Sequence, residues 1–545
     1  MTATRWRRSA DARRDEVERR LAAWRLAKRF PHALSGPPGA LDEPPVRRLR
    51  AVLPELGPVF CAFGRYLSAR PDLLTEAECQ ELATVPDGTA PLAPGMVLDL
   101  LVQELGRPVE DTYVAFDPLP FASTLAVQDH RAQLPGGEPA VVRLVRPDLP
   151  ALLDRDLGLL PLLAEAFGPE AMAGAWIGAA VEDFAMTVAV TADLARLAAA
   201  LAALAQDGES SGLGLCAPRV VSAASTPRLL TLENLQGQTV DAFDPLPLSG
   251  GSWPSGLGSD ELAIRLCQIW LRQVRFGQVF PADFTGGDLR ILADHRIAWT
   301  GEVFATLPPG TRESLWEYLL ASVAQDPERI CEALVREMDG GSQGDPRRLQ
   351  NRVRQLVPFR DGGWGARDDL AGYLFLHWRS AMQEGYRPRP HLVAFYRGLA
   401  RLTAQSRRLA PGIDPLREGL ERARIAAGLG DVMRLFDREE MREVLGAYAV
   451  ALLSMPQRLN EVLTLAAEGR ATVKLEMVDP PEERRRKDSS TAALVALLGM
   501  VAVVLLAHHL ASAAGSSFGP WVERIAAVLL GALGVFLFRG LRRKP

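Results

Sequence analysis

Histidine, cysteine and paired carboxylates are the side chains from which metal centres, nucleophilic sites and acid–base pairs are built, and this chain holds seven His and five Cys. Their spacing argues against most of that chemistry. Cys61, Cys79, Cys216, Cys267 and Cys331 are scattered with no CxxC pair, which supports neither a zinc site nor a disulfide framework and suits a reducing compartment. His130, His295, His377 and His391 lie in separate stretches without ligand spacing, and the adjacent His508 and His509 end an apolar run, where they read as interfacial. There is no phosphate-binding GxxxxGK loop, no HExxH, no GxSxG and no EF-hand loop, and Gly212-Leu213-Gly214 is a lone GxG in a linker-like context. What remains is a glycine-rich stretch at 281–302 containing Asp283 and Asp288, which by themselves read as turn residues, and Arg143, which reads as an exposed strand residue.

The elements that must position these residues follow from pattern. The 545 residues have material for three or four domains, and 48% hydrophobic with 23% charged residues excludes a disordered, collagenous or coiled-coil chain. Residues 1–34 have helical composition, and four Pro and two Gly at 35–45 mark a linker. Helical pattern then runs to Val114, with a break at the segment PDGTAPLAPG. Two strand-like runs, 125–134 and 139–145, are joined by Pro135-Gly136-Gly137 and predict a β-hairpin. Residues 152–204 are Leu/Ala-rich and helical, 219–237 return to the sheet, and beyond Asp260 nearly everything except 281–302 reads as helix. A small mixed sheet with helices followed by a large helical lobe is the α+β class.

Charge and hydropathy add a membrane expectation. Residues 1–35 carry net +6 and residues 482–545 net +5, leaving −15 for the middle of a chain that is −4 overall. That balance gives no reason to expect nucleic acid as a partner, and basic ends around an acidic body suit an anionic bilayer surface. The 21 residues 491–511 form an apolar run, a second follows at 521–538, and basic clusters lie before the first and after the second with no Lys or Arg in the loop between. The sequence therefore predicts a two-helix transmembrane hairpin with both flanks, and the soluble body, on the cytoplasmic side of a bacterial-type inner membrane. The N-terminus lacks the apolar core of a secretory signal.

In order along the chain, LGPVFCAFGRYLSARPDLL (56–74), RLVRPDLPALLDRDLGLL (143–160), STPRLLTLENLQG (225–237), PADFTGGD (281–288) and YRPRPHLVAFYRGLARLTAQSRRLAPGIDP (386–415) resemble the UbiB/AarF family of atypical protein-kinase-like proteins associated with ubiquinone and isoprenoid-lipid metabolism. The resemblance implies a two-lobe kinase-like fold: a basic N-terminal segment and linker (1–45), a helical extension with the signature helix (46–114), an N-lobe (115–240), a helical C-lobe (241–480), a basic linker (481–490) and the membrane hairpin with a basic tail (491–545). It also assigns site positions. Nucleotide contacts fall on Arg143 at the strand-lysine position, on Gln128, and on Glu233 of the hinge. Asp283 takes the acceptor-base position, Asp288 and Glu302 are the candidate metal ligands, and Ala62, Gly64 and Arg65 stand in the signature helix. ATP and Mg²⁺ are the cofactors it brings in; the residues themselves fix none.

The departures from the family pattern carry the functional expectation. The family's Lys-x-Gly-Gln is here Ala62-Phe63-Gly64-Arg65, its Ala-rich nucleotide loop is Ala122-Ser123-Thr124-Leu125, and its Asp-Phe-Gly is replaced within Trp299-Thr300-Gly301-Glu302. The Glu that should pair with the strand cation falls near Ala189, where no acid occurs between Asp183 and Asp193. Phosphoryl transfer depends on such positioned charges, each typically worth about 10² to 10³ in rate. The first reading is therefore a membrane-anchored pseudokinase serving as scaffold, regulator or lipid-access subunit. The alternatives are a divergent ATPase or kinase using Asp283 and Asp288, and a protein- or lipid-binding module unrelated to quinones. An isoprenoid quinone lipid or quinone-biosynthesis proteins are the partners expected besides the bilayer.

Overall fold

In the computed structural model, the described residues are 3–24, 43–167, 175–242, 258–340, 344–356 and 369–424. The N-terminal helix α1 (Ala3–Ala23) is followed by α2 (Pro45–Leu56), α3 (Pro58–Leu67), α4 (Glu76–Ala83) and α5 (Pro94–Leu105). Proline in the first turn starts α2, α3 and α5, where its missing N–H costs nothing. Thr75 and Glu78 form a reciprocal capping box on α4.

A five-stranded antiparallel sheet comes next, built from β1 (Ala115–Phe116), β2 (Ala122–Ser123), β3 (Val127–Gln133), β4 (Pro139–Val145) and, later in the chain, β6 (Leu229–Glu233). The expected hairpin is β3–β4. Gly137 sits at φ +82°, a left-handed turn conformation that an L side chain rarely adopts, and its N–H donates to the Leu134 carbonyl. Between β4 and β6 run α6 (Leu149–Asp156), a 3₁₀ stretch (Leu157–Phe167), α7 (Ala175–Ala192), α8 (Leu194–Ser211) and β5 (Leu215–Cys216). The lone GxG is a connector, as read: Gly212 and Gly214 both have positive φ and link α8 to β5.

The chain leaves the first sheet at Glu233 and enters a second one at β7 (Gln238–Thr239), so 234–237 is a physical hinge. After α9 (Ser259–Phe276) the stretch 281–302, read from the sequence as irregular, forms short strands: β8 (Phe280–Asp283), β9 (Leu289–Ile291) and β10 (Ile297–Trp299), then β11 (Val303–Ala305). The second sheet has the order β5-β10-β9-β7, and β8 pairs with β11. The remaining elements are α10 (Pro309–Val323), α11 (Pro327–Arg336), β12 (Met338–Asp339), α12 (Pro346–Gln355), α13 (Leu370–Gln383), β13 (Arg387–Pro388) and α14 (Pro390–Leu409). Asp326, Asp345 and Asp369 cap α11, α12 and α13 with side-chain acceptors.

One hydrophobic cluster joins α2, α3, α9, α14 and β8 around the fully buried Trp270, Phe280, Phe395 and Tyr396. A second, smaller cluster packs Val97 and Leu101 of α5 with Tyr113 against Val142 and Leu144 of β4. Helix α14 can approach β8 because residue 398 is glycine: a Cβ there would lie 2.7 Å from the Pro281 carbonyl oxygen and 3.3 Å from Ala282 Cα. Since both neighbours are backbone and cannot swing aside, Gly398→Ala is expected to cost about 1–3 kcal/mol as overpacking. A guanidinium unfolding midpoint unchanged by that substitution contradicts this packing.

Among the described residues no single helix is long and apolar enough to cross a membrane; α7 and α8 pass together by length and composition but are bent by 78°. The expected spans at 491–511 and 521–538, and the expected basic linker, lie outside the described residues.

Candidate functional site: an ion-paired kinase-type cleft

Strand register places Arg143. In the β3–β4 pairing Asp129 lies directly opposite Arg143, while Gln128 lies opposite Leu144 and His130 opposite Val142. Opposed residues of an antiparallel pair share a face and successive residues alternate, so Arg143 and Asp129 lie on one face and Gln128 and His130 on the other. Arg143 is only 5% exposed, correcting its reading as a surface strand residue. Its Nε donates to Asp129 Oδ1 at 2.8 Å and its Nη2 to Asp129 Oδ2 at 2.7 Å, a bidentate pair. The same Nη2 stands 3.1 Å from Glu302 Oε1, while Nη1 is buried without an acceptor. Burial works to lower the Arg143 pKa, but Asp129 and Glu302 outweigh it and hold the guanidinium charged. For Glu302 burial dominates: with Asp129, Asp288 and Asp87 adding repulsion, its pKa is pushed up to about 7 although Arg143 pulls it down.

Gln128 does not reach this cation. Its amide Nε2 donates to Ser123 Oγ at 3.0 Å on the opposite face, because the strand period of two puts it there. Glu233 ends β6 at the hinge as expected, and its side chain accepts from the Arg219 N–H at 3.4 Å.

The segment after β8 turns through a 3₁₀ turn, Gly286–Asp288, closed by Thr285. Asp288 Oδ2 accepts from the Thr285 N–H at 2.7 Å and from its hydroxyl at 2.9 Å. Burial nevertheless raises the Asp288 pKa above the usual carboxylate range. Thr300 closes the turn from the other side, with its N–H and hydroxyl both donating to the Asp288 carbonyl. A Cβ at Gly301 would meet Asp288 Cβ at 3.4 Å, and neither Thr300 nor Gly301, the two residues that the resemblance sets against the family's metal-binding Asp, supplies a carboxylate beside Asp288.

Asp283 is engaged from α14. Arg401 Nε donates to its Oδ1 at 2.7 Å, and Arg397 Nε lies 3.6 Å from Oδ2. Arg401 also donates to Ser68 Oγ and the Arg65 carbonyl, while Arg397 donates to Asp183 Oδ2 at 3.0 Å and Thr187 Oγ1 at 2.8 Å. Tyr66 of the signature helix donates to the same Asp183 oxygen at 2.6 Å. One polar network thus ties α3, α7, α14 and β8. The αC-type acid that would have met the strand cation is absent, and Asp183 of that helix serves Arg397 and Tyr66 instead.

In the signature helix, Gly64 lets α2 and α3 close up, since a Cβ there would lie 2.5 Å from Leu53 Cδ1. Arg65 pairs with Asp87 on the loop between α4 and α5; both are about a third exposed, at 31% and 38%, so Arg65 stands at a rim. Ala62 is half-buried against the main cluster. The same loop is anchored by Arg146, which donates to the Ala90 carbonyl at 2.9 Å, and by Gly88, which lies over Cys61 at φ +64°.

Asp283, Asp288 and Glu302 each have a protein partner, and no group of three His, Cys, Asp or Glu able to hold a metal ion occurs among the described residues. The strand cation that would meet nucleotide phosphates already carries two carboxylates. The residues present do not fit Mg²⁺–nucleotide. Reasoning from sequence missed Asp129, Asp183, Tyr66, Arg397 and Arg401. The signal for the arginines was available: spaced i, i+4, they lie on one face of α14. Asp129 becomes visible only once the hairpin register is known.

A hinged pair of sheets with helices, a turn between β8 and β9 and a cation on an inner strand of the first sheet are the features of a protein-kinase-like fold. The ABC1 atypical kinase-like domain family matches residues 85–334. A protein from Azotobacter vinelandii called "Probable protein kinase UbiB" is 28% identical over 68% of this chain and 70% of its own length. Proteins of the same name from Pseudomonas fluorescens and Pseudomonas entomophila are 27% and 28% identical over 72% and 73% of this chain, covering 75% and 72% of their own lengths. The solved complex of Rv3197 with erythromycin from Mycobacterium tuberculosis aligns with a TM-score of 0.37 at 17% identity, over 64% of this chain and 91% of that one. Residues 85–334 thus carry an ABC1 atypical kinase-like domain, and about 70% of the chain is similar to proteins named UbiB.

Proposed function

We propose that this chain is a non-catalytic member of its family, a membrane-anchored scaffold, regulator or lipid-access subunit in ubiquinone or related isoprenoid-lipid metabolism. The observation that supports it is Arg143: the cation at the strand-lysine position is engaged by Asp129 and Glu302, and neither Thr300 nor Gly301 is an acid. Anchoring rests on the apolar runs 491–511 and 521–538 with basic flanks. The pathway rests on the name UbiB carried by the relatives.

The test is equilibrium binding of ATP and ADP, with and without Mg²⁺, to the purified full-length chain, followed as a thermal shift. Ligand at 100 Kd adds about 2.7 kcal/mol to a protein that binds it. The expected result is no shift at millimolar nucleotide. A Mg²⁺-dependent shift, with hydrolysis abolished by Asp283→Asn, overturns the proposal in favour of a divergent ATPase. Co-purification from solubilised membranes is expected to bring quinone-modifying enzymes; their absence, with other partners recovered, moves the chain to a different pathway.

A further inference from the structure

We propose that Arg143 and Glu302 form a latch that clasps the first sheet to the segment following β10, in the place where a kinase of this fold holds its two sides together through nucleotide and metal. The inference rests on the reading above that Mg²⁺–nucleotide does not fit the cleft. It adds what holds the cleft instead.

The geometry has three parts. Asp129 is cross-strand to Arg143 within one hairpin, so that pair stiffens the sheet and joins nothing else. Glu302 stands between β10 and β11, far from β4 in sequence, and its 3.1 Å contact with Arg143 Nη2 bridges from the sheet to the loop segment. Third, the guanidinium is held by one edge only: Nε and Nη2 serve Asp129, Nη2 also serves Glu302, and Nη1 has no acceptor. A planar fork can serve two carboxylates from one edge, whereas an ammonium is a single point charge on a flexible stem and cannot reproduce that geometry. The departure from the family's strand Lys to Arg and the appearance of Glu302 therefore belong together as one device. The charged groups around Glu302 are Arg143 from β4, Asp129 from β3, Asp288 from the 3₁₀ turn and Asp87 from the α4–α5 loop. Asp87 has its own cation in Arg65, and Arg143 is the one that meets Asp129 and Glu302 directly.

The latch predicts coupled opening. In the full-length chain, Arg143→Lys and Glu302→Ala are each expected to raise amide hydrogen exchange about tenfold, between what loss of an exposed and of a fully buried ion pair would give. Both 127–145 and 283–305 should be affected. Within 283–305 the double variant is expected to exchange no faster than either single one, because there both remove the same contact, whereas in 127–145 Arg143→Lys also loses its pair with Asp129. Asp129→Asn is expected to loosen 127–145 while leaving 283–305 within about twofold. If the alanine variant fails to fold, Glu302→Gln keeps the volume and is expected to shift both segments in the same direction. Additive effects of Arg143→Lys and Glu302→Ala within 283–305, or faster exchange confined to 127–145, overturn the latch. Neither result bears on nucleotide binding, which the thermal-shift experiment measures independently.

Discussion

Arg397→Met is expected to lower the stability of the full-length chain by about 3 kcal/mol, the low end of the 3–5 kcal/mol found when one partner of a buried ion pair is removed. Arg397 is 4% exposed and stacks over the Tyr66 ring while serving Asp183, Asp283, Thr187 and the Ala282 carbonyl. Methionine keeps much of the stem packing and removes every donor. Asp183 keeps Tyr66 and Asp283 keeps Arg401, which is why the low end of the range applies. The measurement is guanidinium unfolding followed by tryptophan fluorescence. A loss below about 1 kcal/mol, the size of an exposed pair, shows that the network is not effectively desolvated. Asp183→Asn in the Arg397→Met background should then cost less than it does in the parent chain, since both changes act on one contact.

Trp270→Ala is the second large effect, about 3–5 kcal/mol, as for other buried Trp or Phe truncations. Trp270 is fully buried, meets Phe280 edge-on and Phe395 at a tilt, and donates from its indole N–H to the Pro281 carbonyl at 2.9 Å. That carbonyl belongs to β8, the strand that ends in Asp283, so the substitution removes both packing and a buried side-chain donor to this strand beside the loop. Trp270→Phe separates the two contributions. It keeps most of the ring volume and is expected to cost about 1–3 kcal/mol for the lost indole hydrogen bond plus the smaller cavity. Equal losses for the two variants would mean that the hydrogen bond, and not the volume, holds β8 to α9.

Much of this architecture was legible from short-range pattern. Gly137 with Pro135 announced the β3–β4 hairpin, since a turn needing positive φ selects glycine, and the Leu/Ala-rich run before Ser211 announced α7 and α8. The short strands β8 to β11 were not legible. With three or four residues each they have no periodicity to read, and they exist because they pair with one another and with β5 and β7. Gln128 is one residue from Asp129, and that step along the strand reverses the face, so its side chain meets Ser123 and not Arg143.

The chain's own residues determined its likeness to a kinase-like family, the apolar C-terminal runs and the departures from that family's charged positions, because each of these is a matter of residue identity or order. Tertiary structure decided what the surviving charges do. Asp129 and Glu302, 14 positions before Arg143 and far beyond it, converge on one guanidinium, and Arg397 and Arg401 reach back from α14 to Asp283. Coulomb attraction at about 3 Å becomes strong once water is excluded, but nothing in a linear sequence states which groups will share that space. Only the strand register and the close packing of α14 on β8, allowed by Gly398, bring them together.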